Sequence, residues 1–189
     1  MLTASVPEIW RERCDQYGAN VVAWYASGGS PRSKTLVVAG RPPIYDNPKV
    51  QALGRKAEVA ACLILGINPE IISWSTGADP GVDIYAGPFH IDVKASDHPK
   101  AKLLIWPVSK NHFIDESSCN VLLFLREVST GCFEAVGWVT MEVFIDQHVT
   151  ASNHDPFNLT EGTFYMEEGN LWPVESLRAS IRIASFADF

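Results

Sequence analysis

The order of hydrophobic and polar positions along the chain predicts short strands interleaved with a few helices. Runs rich in β-branched and aromatic residues, bounded by turn-forming residues, predict strands. These strands cover residues 20–27, 34–40, 81–85, 89–95, 120–128 and 133–140. A charged segment with a proline near its first turn predicts a short helix over 7–17.

The clearest helix is predicted over residues 48–66. Asn47 is a favourable N-cap, Pro48 suits the first helical position and Gly66 is a typical helix end. The residues between these caps are mostly small or apolar, which is typical of a helix packed against a sheet.

Two further helices are predicted in the second half of the chain. Thr140 is a possible cap for one that follows it, and Pro173 opens a short one near the C-terminus. Helices and strands in this order predict an α/β or α+β fold, with a mixed central sheet flanked by helices.

Composition indicates one globular domain. The chain has 189 residues, of which 47% are hydrophobic and 20% charged. Its apolar runs fall short of the ~20 residues that a membrane span needs. Its four cysteines lack the spacing of a zinc site. We therefore expect a reduced, cytoplasmic protein with no membrane partner.

The charge is unevenly distributed. The formal net charge is −7, but residues 32–110 hold ten Lys and Arg against seven Asp and Glu. Residues 111–189 hold three against twelve. Because exposed charges are screened beyond about 10 Å at ~0.1 M salt, a local basic face can still bind phosphates on an acidic protein.

Candidate chemistry lies in the hairpin predicted at residues 81–96. Asp83 sits in one hydrophobic strand, and Asp92 and Lys94 sit in the next. Since side chains alternate along a strand, Asp92 and Lys94 share a face. The tight turn between the strands brings Asp83 beside them.

Two adjacent carboxylates repel each other unless a cation neutralises them. Their hard oxygen atoms favour Mg²⁺, Mn²⁺ or Ca²⁺ over zinc, and Mg²⁺ usually keeps positions for water and phosphate. Lys94 would then contact the phosphate and the attacking water. Glu58 faces the packed side of the predicted helix, where a carboxylate needs a partner, and it can reach the same place.

These residues resemble a known nuclease pattern. Glu58 in LGRKAEVAACLILG, Asp83 in GVDIY and Asp92-Val93-Lys94 in FHIDVKAS are similar to the PD-(D/E)XK nuclease superfamily, which has the restriction-endonuclease-like fold. The resemblance implies an αβββαβ core, with Asp83, Asp92 and the Val93 backbone carbonyl as metal ligands. It also implies that Lys94 is the catalytic lysine and that Glu58 binds or orients a metal or its water. The chain departs from the pattern because Val82, not proline, precedes Asp83.

The resemblance divides the expected single nuclease domain into three parts. Residues 48–147 would form the catalytic core and 148–189 the C-terminal elements, whereas 1–45 form an extension without an assigned role. Seven residues are candidates for substrate binding: Gln51, Arg55, His90, Ser96, Lys100, Lys102 and Lys110. For His90 and Ser96 a structural hydrogen bond is the alternative, and the lysines could form a solvated face.

The expected function is a Mg²⁺-dependent endonuclease acting on DNA, with Mn²⁺ as a substitute and RNA as another possible substrate. A Holliday-junction resolvase and a homodimeric restriction enzyme are alternatives within this class. Two alternatives are not nucleases. One is a catalytically inactive nucleic-acid-binding or protein-interaction module on the same fold, and the other is an inhibitor whose acidic C-terminal segment mimics nucleic acid.

Overall fold

The fold was analysed in a computed structural model that describes residues 2–27, 47–76, 82–100, 102–105, 119–151 and 163–187. These residues form four α-helices: α1 Glu8–Ala26, α2 Pro48–Leu65, α3 Met141–Gln147 and α4 Val174–Ala187. They also form eight strands: β1 Thr3–Ser5, β2 Ile84–Ala86, β3 Phe89–Ser96, β4 Leu103–Ile105, β5 Val121–Ser129, β6 Cys132–Thr140, β7 Val149–Thr150 and β8 Phe164–Met166. None of the described helices is long and apolar enough to cross a membrane.

The main sheet has five strands in the order β1-β6-β5-β3-β2. β3 runs parallel to β5, and the other neighbours are antiparallel. A smaller antiparallel sheet has the order β4-β8-β7. The predicted mixed α/β architecture is thus confirmed.

Both faces of the main sheet are buried. On one face Ile91 and Val93 pack in the same core cluster as the small residues of α2, such as Ala57. On the other face Leu122 and Phe124 belong to a second cluster together with side chains of α3. Residues 91 and 93 therefore face α2, and alternation puts Asp92 and Lys94 on the other face of the strand.

Local signals fix α2 as predicted. The Asn47 side chain accepts a hydrogen bond from the Lys49 N–H at 3.0 Å, and Pro48 occupies the first helical position. Gly66 ends the helix with φ +78°, a left-handed conformation that glycine adopts without strain.

The N-terminal prediction is partly wrong. Residues 20–27, predicted as a strand, instead continue α1 up to Ala26. The β-branched and aromatic run has strand propensity, but α1 packs along α2, and this contact overrides it. The strand predicted at 34–40 lies outside the described residues.

Other elements follow the prediction, although the short strands β1, β4, β7 and β8 were not predicted. β2 and β3 pair with Ala86 opposite Phe89, across a two-residue turn in which Gly87 has φ +60°. β5, β6 and the start of α3 also lie where predicted, and the Thr140 hydroxyl accepts a hydrogen bond from the N–H of Val143. The helix near the C-terminus is longer than predicted, extending to Ala187.

Candidate active site

A cavity of about 260 Å³ lies between α2, the residues directly before β2 and the middle of β3. Glu58, Asp83, Asp92 and Lys94 all line it. One residue comes from the helix, one directly precedes β2 and two belong to β3. The structure thus brings together all four residues predicted to be catalytic.

The edge of β3 explains how Asp83 reaches the cavity. The Asp83 N–H donates to the Ile91 carbonyl at 2.9 Å, so the antiparallel pairing continues to this point. Beyond this point the Asp83 carboxylate bonds to β3 where the backbone of a paired strand otherwise would. Its Oδ2 accepts a hydrogen bond from the Val93 N–H at 2.7 Å. Since the N–H and C=O of a strand residue point to the same edge, the Val93 carbonyl also points to the Asp83 side.

Asp92 is a buried carboxylate, only 4% exposed. The Lys94 ammonium lies 2.9 Å from its Oδ1 and 2.8 Å from its Oδ2. Although Oδ2 is buried, it accepts no well-aligned hydrogen bond from the described residues. Burial, then the negative charge of Asp92, raises the pKa of the neighbouring Cys119 thiol to about 12.

Glu58 forms an ion pair with Arg55, one turn earlier on α2. Their side chains are only 10% and 12% exposed, so the pair is largely removed from water. Burial, then the charges of Glu58 and Asp83, raises the pKa of the Cys62 thiol to about 12. Because Glu58 and Asp83 both raise the pKa of Cys62, both carboxylates lie near the same part of α2.

Arg55 is held from a second side by α1. Its Nη2 donates to the Tyr17 hydroxyl at 2.7 Å, and its guanidinium lies 4.2 Å from the centre of the Tyr17 ring. Burial opposes the charge of Arg55, but Glu58, Tyr17 and Asp83 outweigh it and raise the pKa of the guanidinium. Arg55 is thus a fixed cation in the cavity wall.

The opposite wall was missed by sequence reasoning. Its members are uncharged side chains of α1 and of the segment after α2: Tyr17, Val21, Tyr25, Ser73, Ser75 and Thr76. Val21 and Tyr25 could not be placed because residues 20–27 were predicted to form a strand, and Tyr17 ends the helix predicted over 7–17. The hydroxyl residues of the 73–76 segment look like ordinary connector residues and carry no motif.

The predicted substrate-binding residues are divided between the cavity and other places. Arg55 and Gln51 line the cavity, whereas His90, Ser96, Lys100 and Lys102 are not among its lining residues. Lys110 lies outside the described residues.

Three of those four side chains make structural contacts elsewhere. The His90 ring packs edge-on against Tyr85 at 5.0 Å, and the Ser96 hydroxyl accepts a hydrogen bond from a backbone N–H two residues later. Lys100 is exposed. Lys102 is buried, with Nζ 2.5 Å from Glu167 Oε1.

No protein-family model, curated protein or solved structure matches this chain. Its chemistry must therefore be inferred from its own residues.

The cavity offers hard oxygen donors, namely the carboxylates of Glu58, Asp83 and Asp92 with the Val93 carbonyl beside them. Such donors, together with the buried Asp92 Oδ2, fit Mg²⁺ or Mn²⁺ better than zinc. Within the described residues, no three Asp, Glu, His or Cys side chains already stand in a geometry that could hold a metal ion. The chemistry of these oxygen donors and the burial of Asp92 are therefore what fit a Mg²⁺ or Mn²⁺ ion.

Proposed function

We propose that this chain is a Mg²⁺-dependent nuclease with a restriction-endonuclease-like core, hydrolysing phosphodiester bonds of DNA. The observation that carries the proposal is the convergence of Glu58, Asp83, Asp92 and Lys94 on one cavity from three separate segments. The nuclease pattern requires this convergence, whereas a surface hairpin would leave Asp92 and Lys94 in solvent.

The carboxylate side of the cavity would hold the metal ion. Asp83, Asp92 and the Val93 carbonyl are the proposed ligands, and Glu58 would accept hydrogen bonds from water on the ion or bind the ion directly. When bound, the ion supplies Lewis acidity towards phosphate and makes its water more acidic. Asp92, the acidic ligand on β3, is buried, which strengthens its electrostatic interactions.

Lys94 has the proposed role of binding the scissile phosphate. Its side chain is 28% exposed and borders the cavity, so it can donate to a phosphate oxygen while its stem stays packed. An ammonium at this place stabilises negative charge that develops on the phosphate. Its ion pair with Asp92 holds it in position before substrate binds.

A binding module without catalysis is the second candidate. It is favoured by the ion pairs of Lys94 with Asp92 and of Arg55 with Glu58, which neutralise two carboxylates without a metal ion. Such a module binds DNA but leaves it intact.

Cleavage assays separate the two candidates. Supercoiled plasmid, linear duplex, single strands and a four-way junction are incubated with Mg²⁺, with Mn²⁺ or with EDTA. We expect metal-dependent cleavage by the wild type and a loss of about 10²–10³-fold in Lys94→Gln, which keeps a donor near Asp92. Lys49→Met, which alters an exposed lysine outside the cavity, should cleave like the wild type.

Circular dichroism establishes that each variant is folded. Folded wild type that binds DNA without cutting it would leave the binding module as the function. Equal cleavage by Lys94→Gln and the wild type would remove Lys94 from the proposed site.

A further inference from the structure

The hydrogen-bonding capacity of Arg55 is only partly used. A guanidinium carries five N–H donors in a rigid plane. Nη1 faces Glu58 and Nη2 donates to Tyr17, but the buried Nε has no acceptor among the described residues. A guanidinium that lines the cavity and has N–H bonds left over can donate them to an acceptor that enters the cavity.

Tyr17 holds the guanidinium in this orientation. Its hydroxyl accepts from Arg55 and donates to the Ser75 carbonyl at 3.4 Å, while its ring lies against the guanidinium face. The ring also packs edge-on against Trp74, with centroids 6.0 Å apart. Tyr17 is thus tied to the segment after α2 and to Arg55 at once.

We propose that Tyr17 is a positioning residue, which fixes Arg55 so that its guanidinium binds a phosphate oxygen of the nucleic-acid strand in the cavity. This inference rests on the proposed nuclease function. It also gives α1, within an N-terminal segment that had no assigned role, a part in substrate binding.

The physical reason is restraint on both sides of the guanidinium. Glu58 and Tyr17 occupy one Nη each, and the Tyr17 ring limits rotation of the plane. An arginine fixed in this way loses little side-chain entropy when it binds a phosphate. Without the hydroxyl, Nη2 has to find another acceptor, and the plane can turn away from the phosphate.

The test measures DNA binding apart from cleavage. Fluorescence anisotropy of short fluorescein-labelled single-stranded and duplex DNA is recorded in EDTA for the wild type, Tyr17→Phe, Arg55→Lys and the double variant. Tyr17→Phe keeps the ring and removes only the hydroxyl, and we expect about tenfold weaker binding. Arg55→Lys keeps a positive charge but loses the planar guanidinium with its fixed donors, and we expect at least as large a loss.

The double variant should bind like Arg55→Lys alone, since Tyr17 acts through Arg55. Tyr85→Phe, which removes a hydroxyl from an exposed residue outside the cavity, should bind like the wild type. In cleavage assays with Mg²⁺, Tyr17→Phe should raise KM more than it lowers kcat.

Unchanged binding by Tyr17→Phe or by Arg55→Lys would overturn the inference, as would losses that simply multiply in the double variant. These outcomes leave the nuclease proposal intact if the wild type still binds and cuts DNA. Failure of the wild type itself to bind or cut DNA would instead defeat the proposed function.

Discussion

The ion pair between Glu58 and Arg55 leads to a sharp prediction about stability. Both side chains are about nine-tenths buried, so Glu58→Ala leaves a guanidinium out of water without its carboxylate partner. Breaking a buried pair in this way costs about 3–5 kcal/mol of unfolding free energy. At about 2–4 °C per kcal/mol for a chain of this size, Tm should fall by about 6–20 °C.

A matched control comes from an exposed pair in the same protein. Arg13 and Glu70 approach to 3.4 Å, but their side chains are 43% and 61% exposed. Glu70→Ala should therefore cost less than about 1 kcal/mol. Its small effect should also shrink in high salt, because solvent-exposed charges are screened and buried ones much less so.

Urea unfolding followed by circular dichroism at pH 7, at low and at high NaCl concentration, measures both effects. Glu58→Gln should lose about 1–3 kcal/mol, since the amide still accepts a hydrogen bond. Replacing both partners, Arg55→Met with Glu58→Leu, should restore much of the stability while abolishing activity. If Glu58→Ala were no more destabilising than Glu70→Ala, the reasoning from burial would be refuted.

Two further predictions concern packing and pH. Gly18→Ala should destabilise by about 1–3 kcal/mol, because its Cβ would collide with the backbone of α2, whereas Gly54→Ala meets open space and should stabilise by about 0.5–1 kcal/mol. Thermal unfolding of both variants tests this, and a loss of stability in Gly54→Ala would contradict it. Burial is the main cause that raises the pKa of Cys14, Cys62 and Cys119 to about 12 from 9.0. Their contribution to stability is complete below pH 9 and is lost between pH 9 and 12, because the unfolded chain releases these protons first. Between pH 9 and 12 the unfolding free energy should fall less steeply with pH in Cys62→Ala than in the wild type. An identical slope would contradict the raised pKa of Cys62.

The sequence by itself determined those elements whose signals lie within a few neighbouring residues. Asn47 and Gly66 bound α2 through local hydrogen bonding and backbone conformation, and Gly87 permits the tight turn between β2 and β3. Alternation along β3 correctly placed Asp92 and Lys94 on one face. Such features were predictable because the backbone geometry of each element transmits them directly.

Only the tertiary structure decided the rest. Residues 20–27 have the composition of a strand, yet all but Ser27 are helical because α1 packs along α2. This long-range contact also brings Tyr17 against Arg55 and builds the second wall of the cavity. The sequence indicated Asp83, Asp92 and Lys94, but the burial of Asp92, the approach of Glu58 and Asp83 to the same cavity and the contribution of α1 depend on packing between distant segments, which local propensity does not encode.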